Sequence, residues 1–324
     1  MVLKGYGAAD GLSLQEVDTP APRADQVLVR VHAATVTMGD TELRASNMPW
    51  LFRLLTRLWL GFIRPKPGLI LGMEMAGVVE AVGEAVEGFT PGDEVFGASA
   101  MGLGTHAEYV CVPAEGLLAH KPAGVSFEQA APIAIGGLAA LGYLRRGGIE
   151  QARTVLVRGA SGSIGTYAVQ LAKHFGAHVT AVCGAQAMAR MEALGADEVI
   201  DYTRQDFDES GQTYDLILDV VGKVPIARCM RSLTPRGAYV RGTVPGLWEM
   251  MVALWMGVAS RRRVVLGDGG GSAEDLVFLG QLLASGGLRS VIDRRYPLEQ
   301  IVQAHQYVET GHKQGHVLIE VVSS

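Results

Sequence analysis

The chain has 324 residues, long enough for two domains with buried cores, and its 48% hydrophobic and 19% charged residues mark it as globular rather than disordered. A net charge of −5 gives no overall field to attract nucleic acid or an anionic membrane, so neither is expected as a partner. Cys111, Cys183 and Cys229 are scattered, with neither C-x-x-C spacing nor a disulfide framework, which points to a reducing, cytoplasmic setting.

The first stretch, Met1 to Tyr6, lacks the apolar core of a signal peptide and leads directly into strand-like sequence. After a Pro-rich turn at Pro20-Ala21-Pro22, residues Gln26 to Ala33 alternate as a strand should. Gly72 to Gly83 forms a glycine-studded strand run, Pro91-Gly92-Asp93 a turn, Val95 to Gly97 a short strand, and His106 to Val112 alternates again. Many short strands at regular spacing predict a small barrel-like domain. Two apolar stretches, Met48 to Ile63 and Leu247 to Ala259, could be mistaken for membrane segments. The first carries Arg53 and Arg57, and the second is too short to span and contains Glu249, so both are expected to be helices or loops covering a pocket.

From about residue 126 the period changes. Glu128 to Ile135 and Leu138 to Leu144 read as helices joined near Gly136-Gly137. The stretch Val155 to Gly165 then runs from β-branched strand into a small-residue turn, and an amphipathic helical pattern follows at once through Lys173. This is the strand, turn and helix of a dinucleotide-binding unit, with backbone close to a pyrophosphate and helix-start N–H groups aimed at it. Ala160 stands at the first glycine of the G-x-G-x-x-G fingerprint, while Gly162 and Gly165 hold the other two. The predicted contacts are Gly159, Ala160, Ser161, Gly162, Ser163, Ile164 and Gly165. Strands and helices then alternate: Val179 to Val182, a helix Ala185 to Leu194 ending at Gly195, then strands at Glu198 to Asp201, Tyr214 to Val220, Gly237 to Val240 and Val264 to Leu266. That alternation argues a parallel sheet covered on both faces. Ala273 to Ala284 is a helix, and Val317 to Val321 a strand free to return to the first domain.

Four ordered motifs carry a family resemblance: Gly72-Met73-Glu74-Met75-Ala76-Gly77 with Gly83; Pro91-Gly92-Asp93-Glu94-Val95; Gly159 to Gly165; and Leu194-Gly195-Ala196-Asp197 with Ile200-Asp201-Tyr202. Over essentially its whole length the chain resembles the medium-chain dehydrogenase/reductase superfamily, most closely its zinc-free quinone oxidoreductase branch. The resemblance implies an α/β fold, a Rossmann doubly wound parallel sheet inserted in a GroES-like β-barrel domain. Residues 1–122 and 288–324 would form the GroES-like part and 123–287 the Rossmann domain, with an active-site cleft between them. It also implies a homodimer. Zinc relatives place ligands where this chain has Thr37, Met73 and Ile135, none of them a good donor for zinc, so no zinc is expected. His312 and His316, the one H-x-x-x-H pair, are expected at the surface.

Without a metal to polarise an alcohol, hydride delivery to an already electrophilic carbon is the easier chemistry, so the expected acceptor is a small hydrophobic quinone or enone. The second strand of the dinucleotide unit ends Cys183-Gly184-Ala185-Gln186 without the acid that binds the ribose of NAD, which favours NADPH while leaving NADH possible. Cys183, Gly184, Gln186, Tyr202, Val221, Gly242, Thr243 and Lys313 complete the cofactor set that the resemblance implies. Thr37 is the candidate hydroxyl of the reaction, and Asp40 is either a second catalytic group or the anchor of its turn. Trp50, Met73, Ile135, Ala139 and Trp248 are the expected substrate-pocket residues. No tyrosine is followed by lysine four positions on, which excludes the short-chain dehydrogenase template. Two alternatives stay open. An enoyl-thioester reductase would need a basic patch, for which Arg261-Arg262-Arg263 is the candidate; an NADPH-binding scaffold or sensor would bind without turnover.

Overall fold

The computed structural model describes residues 1–48, 50–99, 103–243, 246, 251–252, 262–267 and 269–321, with residue 51 by its backbone. The chain divides into two compact units. The first comprises Met1–Ile135, Ser272–Gly286 and Ser290–Ser324; the second comprises Gly136–Gly271 and Gly287–Arg289.

In the first unit, β1 (Val2–Leu3) and β2 (Leu12–Ser13) form a small antiparallel pair. The main sheet is built on β3 (Gln26–Val36), whose run of β-branched residues is buried along most of its length. On one edge β3 pairs with β4 (Glu74–Val82). On the other, its first half takes β6 (Tyr109–Pro113) and its last residues take the C-terminal strand. β5 (Glu94–Ala98) and β7 (Leu118–His120) extend the sheet beyond β4. Val27, Val29, Val31, Val95, Val112, Val317 and Ile319 fill the core between its turns. Two helices lie between β3 and β4. α1 (Met38–Ala45) opens with a capping box in which Thr37 and Asp40 satisfy each other's backbone N–H groups, and α2 (Trp50–Leu60) follows. The turn that Asp40 was expected to anchor is thus a helix start.

α3 (Phe127–Ala130) has its own capping box, from Ser126 and Gln129, and packs on β3 and β4. A π-helical turn at Ile133–Gly137 then leads into the second unit. The first unit therefore extends to Ile135, beyond the expected boundary at 122, because α3 packs on its sheet. It also takes the Ala273–Ala284 helix, which packs on β7 and α3, so the later boundary falls at Ser272 rather than 287.

The second unit is a six-stranded, all-parallel sheet. Its strands are β8 (Thr154–Arg158), β9 (His178–Cys183), β10 (Glu198–Asp201), β11 (Tyr214–Asp219), β12 (Leu233–Arg241) and β13 (Arg263–Leu266). They lie in the order β10-β9-β8-β11-β12-β13, the doubly wound Rossmann order. The central strands β8 and β11 are buried nearly throughout, which explains why they read as continuous apolar runs rather than alternating ones. α4 (Leu138–Gly147), α5 (Ser163–His174), α6 (Met188–Ala193) and α7 (Ile226–Arg231) connect and cover the strands. The strand order reverses between β8 and β11, and the glycine-rich turn lies at the C-terminal end of β8, where such sheets bind ligands.

The chain then returns to the first unit as β14 (Ile292–Pro297), the Ile301–Glu309 helix and β15 (His316–Glu320). β15 pairs parallel with β14 and antiparallel with β3, so the sequence-predicted return of the terminal strand is realised. Ile319, fully buried opposite Ala34, is central to that closure. Replacing Ile319 with Ala is expected to lower stability by about 2–5 kcal/mol, measured by urea denaturation, and to unfold the first unit at lower urea than the second.

Candidate functional site

The turn after β8 has the geometry of a pyrophosphate cradle. Gly159 has φ of +78°, so the left-handed residue required by the turn sits one position before the missing first glycine. That is why Ala160, fully buried, is tolerated at that place. A Cβ at Gly165 would lie 2.1 Å from the Gly159 carbonyl oxygen, so the third glycine is needed for helix and turn to close together. At Gly162 the nearest atom to such a Cβ would be 3.5 Å away, an ordinary contact, so packing within the protein does not itself demand glycine there. Gly162 is also the N-cap of α5 and, lacking a side chain, makes no cap hydrogen bond of its own to the first N–H groups. Ser161, Ser163 and Ile164 are part-buried around it.

Beneath the turn lies a network that sequence reasoning missed. Asp219, at the end of β11, is fully buried. One carboxylate oxygen accepts from Arg158 Nη1 at 2.7 Å and from the Tyr239 hydroxyl at 3.2 Å; the other accepts from the N–H groups of Val221 and Gly222, both at 3.0 Å. Arg158 ends β8, and Arg241, at the end of β12, donates to Thr243 Oγ1 at 2.9 Å and to the Gly222 carbonyl. The network gathers Val221, Gly242 and Thr243 to the same strand ends as the cradle. Val221 packs over Gly159, and the Gly242 N–H donates to the Asp219 carbonyl at 2.9 Å. The signal available in the sequence was the pair of charges, Arg158 and Asp219, interrupting otherwise apolar strands.

At the end of β9, Cys183 is buried; burial, reinforced by the nearby Asp201 charge, pushes its thiol up to about 11, so it holds no reactive thiolate. Its carbonyl accepts from the Tyr202 N–H at 3.1 Å. The Tyr202 ring, largely exposed, stands 3.7 Å from where a Gly184 Cβ would be, and Gln186 is exposed beside them. Asp201 of β10 pairs in register with Cys183, but its carboxylate accepts from the N–H and hydroxyl of Thr203.

The first unit brings a second set together. The Thr37 hydroxyl donates to Asp40 Oδ2 at 2.7 Å and lies 3.5 Å from the Met73 sulfur. Asp40 is fully buried and also accepts from the Gly72 N–H, so it anchors the turn whatever else it does. Burial raises its carboxyl pKa, against the pull of His106, Thr37 and Gly72. Glu74, equally buried, accepts from the Thr35 hydroxyl at 2.5 Å and from the Ile135 N–H at 2.6 Å. Its carboxyl is pushed up to about 7, chiefly by burial. The ammonium of Lys313 is enclosed here, donating to the Gly315 carbonyl at 2.9 Å; burial lowers its pKa to about 8, with Glu74 and Asp293 pulling it back up. Among the described residues no group of three or more His, Cys, Asp or Glu is placed to hold a metal ion.

The remaining expected residues are dispersed. Trp50 is exposed on α2, lining an open groove of about 520 Å³ with Arg53 and Phe62. Ala139 packs in α4 against the Gly269 backbone within the second unit. Trp248 lies outside the described residues, as does most of the apolar stretch Leu247 to Ala259. His312 is exposed as expected, but His316 is buried in β15, so the pair is divided by strand pairing. Arg262 is engaged by the carbonyls of Met230, Leu233 and Thr234, whereas Arg263 is exposed and donates through Nη2 to the carbonyl of Arg146; Arg261 lies outside the described residues.

A Rossmann strand order with this cradle at its switch point defines a dinucleotide-binding protein. Residues 23–123 match the alcohol dehydrogenase GroES-like domain family and residues 194–319 the zinc-binding dehydrogenase family. The chain is 31% identical to the chloroplast envelope quinone oxidoreductase homolog of Arabidopsis thaliana, over 97% of this chain and 95% of that protein. It is 32% identical to the 2-methylene-furan-3-one reductase of Solanum lycopersicum, over 98% and 77%. Among solved structures, the Escherichia coli quinone oxidoreductase complexed with NADPH superimposes with a TM-score of 0.82, at 27% identity and 98% coverage of both chains. The chain belongs to the medium-chain dehydrogenase/reductase superfamily, in its zinc-free quinone oxidoreductase-like branch, and is an NAD(P)H oxidoreductase.

Two expectations follow from these geometries. Gly162→Ala should leave thermal stability nearly unchanged while weakening dinucleotide binding at least tenfold by calorimetry, whereas Gly165→Ala should lower stability itself. Glu74, whose folded pKa of about 7 lies above its ordinary 4.5, favours the fold while protonated; that contribution is full below pH 4.5 and is lost as pH rises through 7. Glu74→Gln, which cannot ionise and keeps an amide oxygen to accept from Ile135 while its NH2 requires the Thr35 hydroxyl to turn from donor to acceptor, should therefore flatten the fall in melting temperature between pH 5 and pH 8, removing up to about 3 kcal/mol of pH dependence.

Proposed function

We propose that the protein is a zinc-independent, NADPH-dependent reductase that delivers hydride to a quinone or an α,β-unsaturated carbonyl. The observation that carries this reading is the pairing of Thr37 with Met73. A hydroxyl 3.5 Å from a thioether stands where zinc relatives supply ligands, and Ile135 adds only hydrocarbon and a backbone N–H committed to Glu74. These are poor donors for zinc. An acceptor that is already electrophilic needs no Lewis acid to take a hydride.

A bound nicotinamide supplies that hydride, and reduction of the acceptor takes up one proton with it. The residues of the second unit would hold the dinucleotide: the N–H groups at the start of α5 would serve its pyrophosphate, Gly162 would leave room for it, and Asp219 would keep the strand ends in register. The absence of a carboxylate on Cys183 and Gly184, with Asp201 engaged by Thr203, suits a 2′-phosphate. In the first unit Thr37 offers the hydroxyl that passes the proton. Asp40, hydrogen-bonded to it and raised by burial, is the group that exchanges with it.

The test is consumption of NADPH, followed by its absorbance, with quinones, enones and saturated alcohols with NADP, before and after dialysis against a chelator. Turnover of quinones or enones that survives chelation is expected. Alcohol oxidation lost on chelation would overturn the zinc-independent reading, and NADPH binding without turnover of any acceptor would identify a sensor. Gly184→Asp, which places an acid at the end of β9, should lower kcat/KM for NADPH at least tenfold and shift preference toward NADH.

A further inference from the structure

α2 and the turn after it turn a continuous apolar face outward. Trp50 is 70% exposed, Phe52 51%, Leu55 55%, Leu58 63%, Phe62 60% and Ile63 83%. Phe52, Leu55 and Leu58 recur at every third position, so they share one side of the helix. The opposite side is fastened to the first unit. Arg57 donates to Ser46 Oγ at 3.0 Å and to the Phe62 carbonyl at 3.1 Å, its guanidinium lies 4.0 Å from the centre of the Tyr6 ring, and Leu60 is buried. The helix is thus fastened with its apolar side away from its own core. It was expected to cover a pocket; Trp50, Arg53 and Phe62 do line a groove, while Phe52, Leu55 and Leu58 face outward.

The charge around this face is one-sided. No Asp or Glu occurs between Glu42 and Glu74, whereas Arg53, Arg64 and Lys66 are exposed there, in a chain whose net charge is −5. The whole-chain charge that argued against an anionic surface therefore conceals a local cationic segment. A second copy of the chain docked through a two-fold axis would set these cations against themselves, with no acid within residues 43–73 to offset them. An anionic lipid surface complements both properties. Apolar side chains enter the acyl boundary, tryptophan suits the interface, and Arg and Lys meet headgroup phosphates. Eleven residues of helix extend only about 16 Å, too short to span a bilayer but suited to lying in its surface. Among the described residues no helix is long and apolar enough to cross a membrane.

We propose that α2, with Phe62 and Ile63, is a membrane-docking element that lays its Phe52, Leu55 and Leu58 face into the surface of an anionic bilayer and sets Arg53, Arg64 and Lys66 on its phosphates. The proposal stands apart from the reductase reading, since it rests on this face alone.

The test is vesicle flotation of the full chain with phosphatidylcholine alone and with phosphatidylcholine mixed equally with phosphatidylglycerol, at low and high salt. Flotation with the mixed vesicles at low salt, little with phosphatidylcholine, and a blue shift in tryptophan fluorescence on binding are expected. Arg53→Glu and Arg64→Glu should each weaken binding roughly fivefold or more. Leu55→Ser combined with Leu58→Ser should abolish it while leaving the melting temperature and NADPH binding unchanged, because both side chains are exposed. Absence of flotation with the mixed vesicles overturns the proposal, as does flotation that these substitutions leave intact. Sedimentation showing that Leu55→Ser with Leu58→Ser dissolves an oligomer would assign the face to a second copy and overturn it too.

Discussion

The cofactor unit depends on one buried carboxylate. Asp219 has no exposure to water, and burying it charged is unfavourable unless its lone pairs are met. Here four donors meet them: a guanidinium from β8, a phenol from β12 and two N–H groups from the turn after β11. The same contacts that stabilise the charge also fix three strand ends against each other, and the glycine turn rests on that platform. A pyrophosphate cradle made of backbone has no side chains with which to correct its own position. Its accuracy must come from what lies beneath it. Loss of the carboxylate would leave Arg158 buried without its ion-pair partner, the costly half of a broken pair.

The first unit carries a different kind of polar core. Glu74, Asp40, His106 and His305 are all buried within it. Burial lowers the pKa of both histidines, that of His305 to about 2, so they are neutral rings that pack edge to face. Arg44, fully enclosed, donates to the Gly7 carbonyl and pairs with Glu309, linking α1 to the Ile301–Glu309 helix. The set is not fully satisfied: His106 Nδ1 and His305 Nε2 are buried without a hydrogen-bond partner among the described residues. Against that background Thr37 stands out: it is half-exposed, while the carboxylate that engages it is buried. A hydroxyl at the edge of a buried acid is where the proposed reaction would draw its proton.

Much of this was legible in the order of residues. The β-branched run and small-residue turn of Val155 to Gly165 specified strand, turn and helix, since only that order satisfies both the periodicity and the glycines. The Ala273–Ala284 helix could be read because Ser272 and Asp275 form a capping box ahead of an apolar repeat. Less legible were elements held by distant partners. β14 and the Ile301–Glu309 helix are polar enough to resemble linker, and they become ordered by packing on β15 and β3. The division of the chain at Ile135 and Ser272 was likewise hidden, because α3 and the Ala273–Ala284 helix join the first unit by packing rather than by sequence continuity.

The sequence by itself determined the fold class, the place of the dinucleotide turn and the poverty of zinc donors at Thr37, Met73 and Ile135. All three depend on local pattern or on the identity of single side chains. Only the tertiary structure decided that Gly159 supplies the left-handed residue for Ala160, that Asp219 joins Arg158 and Tyr239, and that Glu74 lies beside Lys313 with its carboxyl near neutrality. It alone showed that α2 faces outward. These are relations between residues far apart in the chain, and a charge or an apolar face acquires its energy from what surrounds it, which residue order does not state.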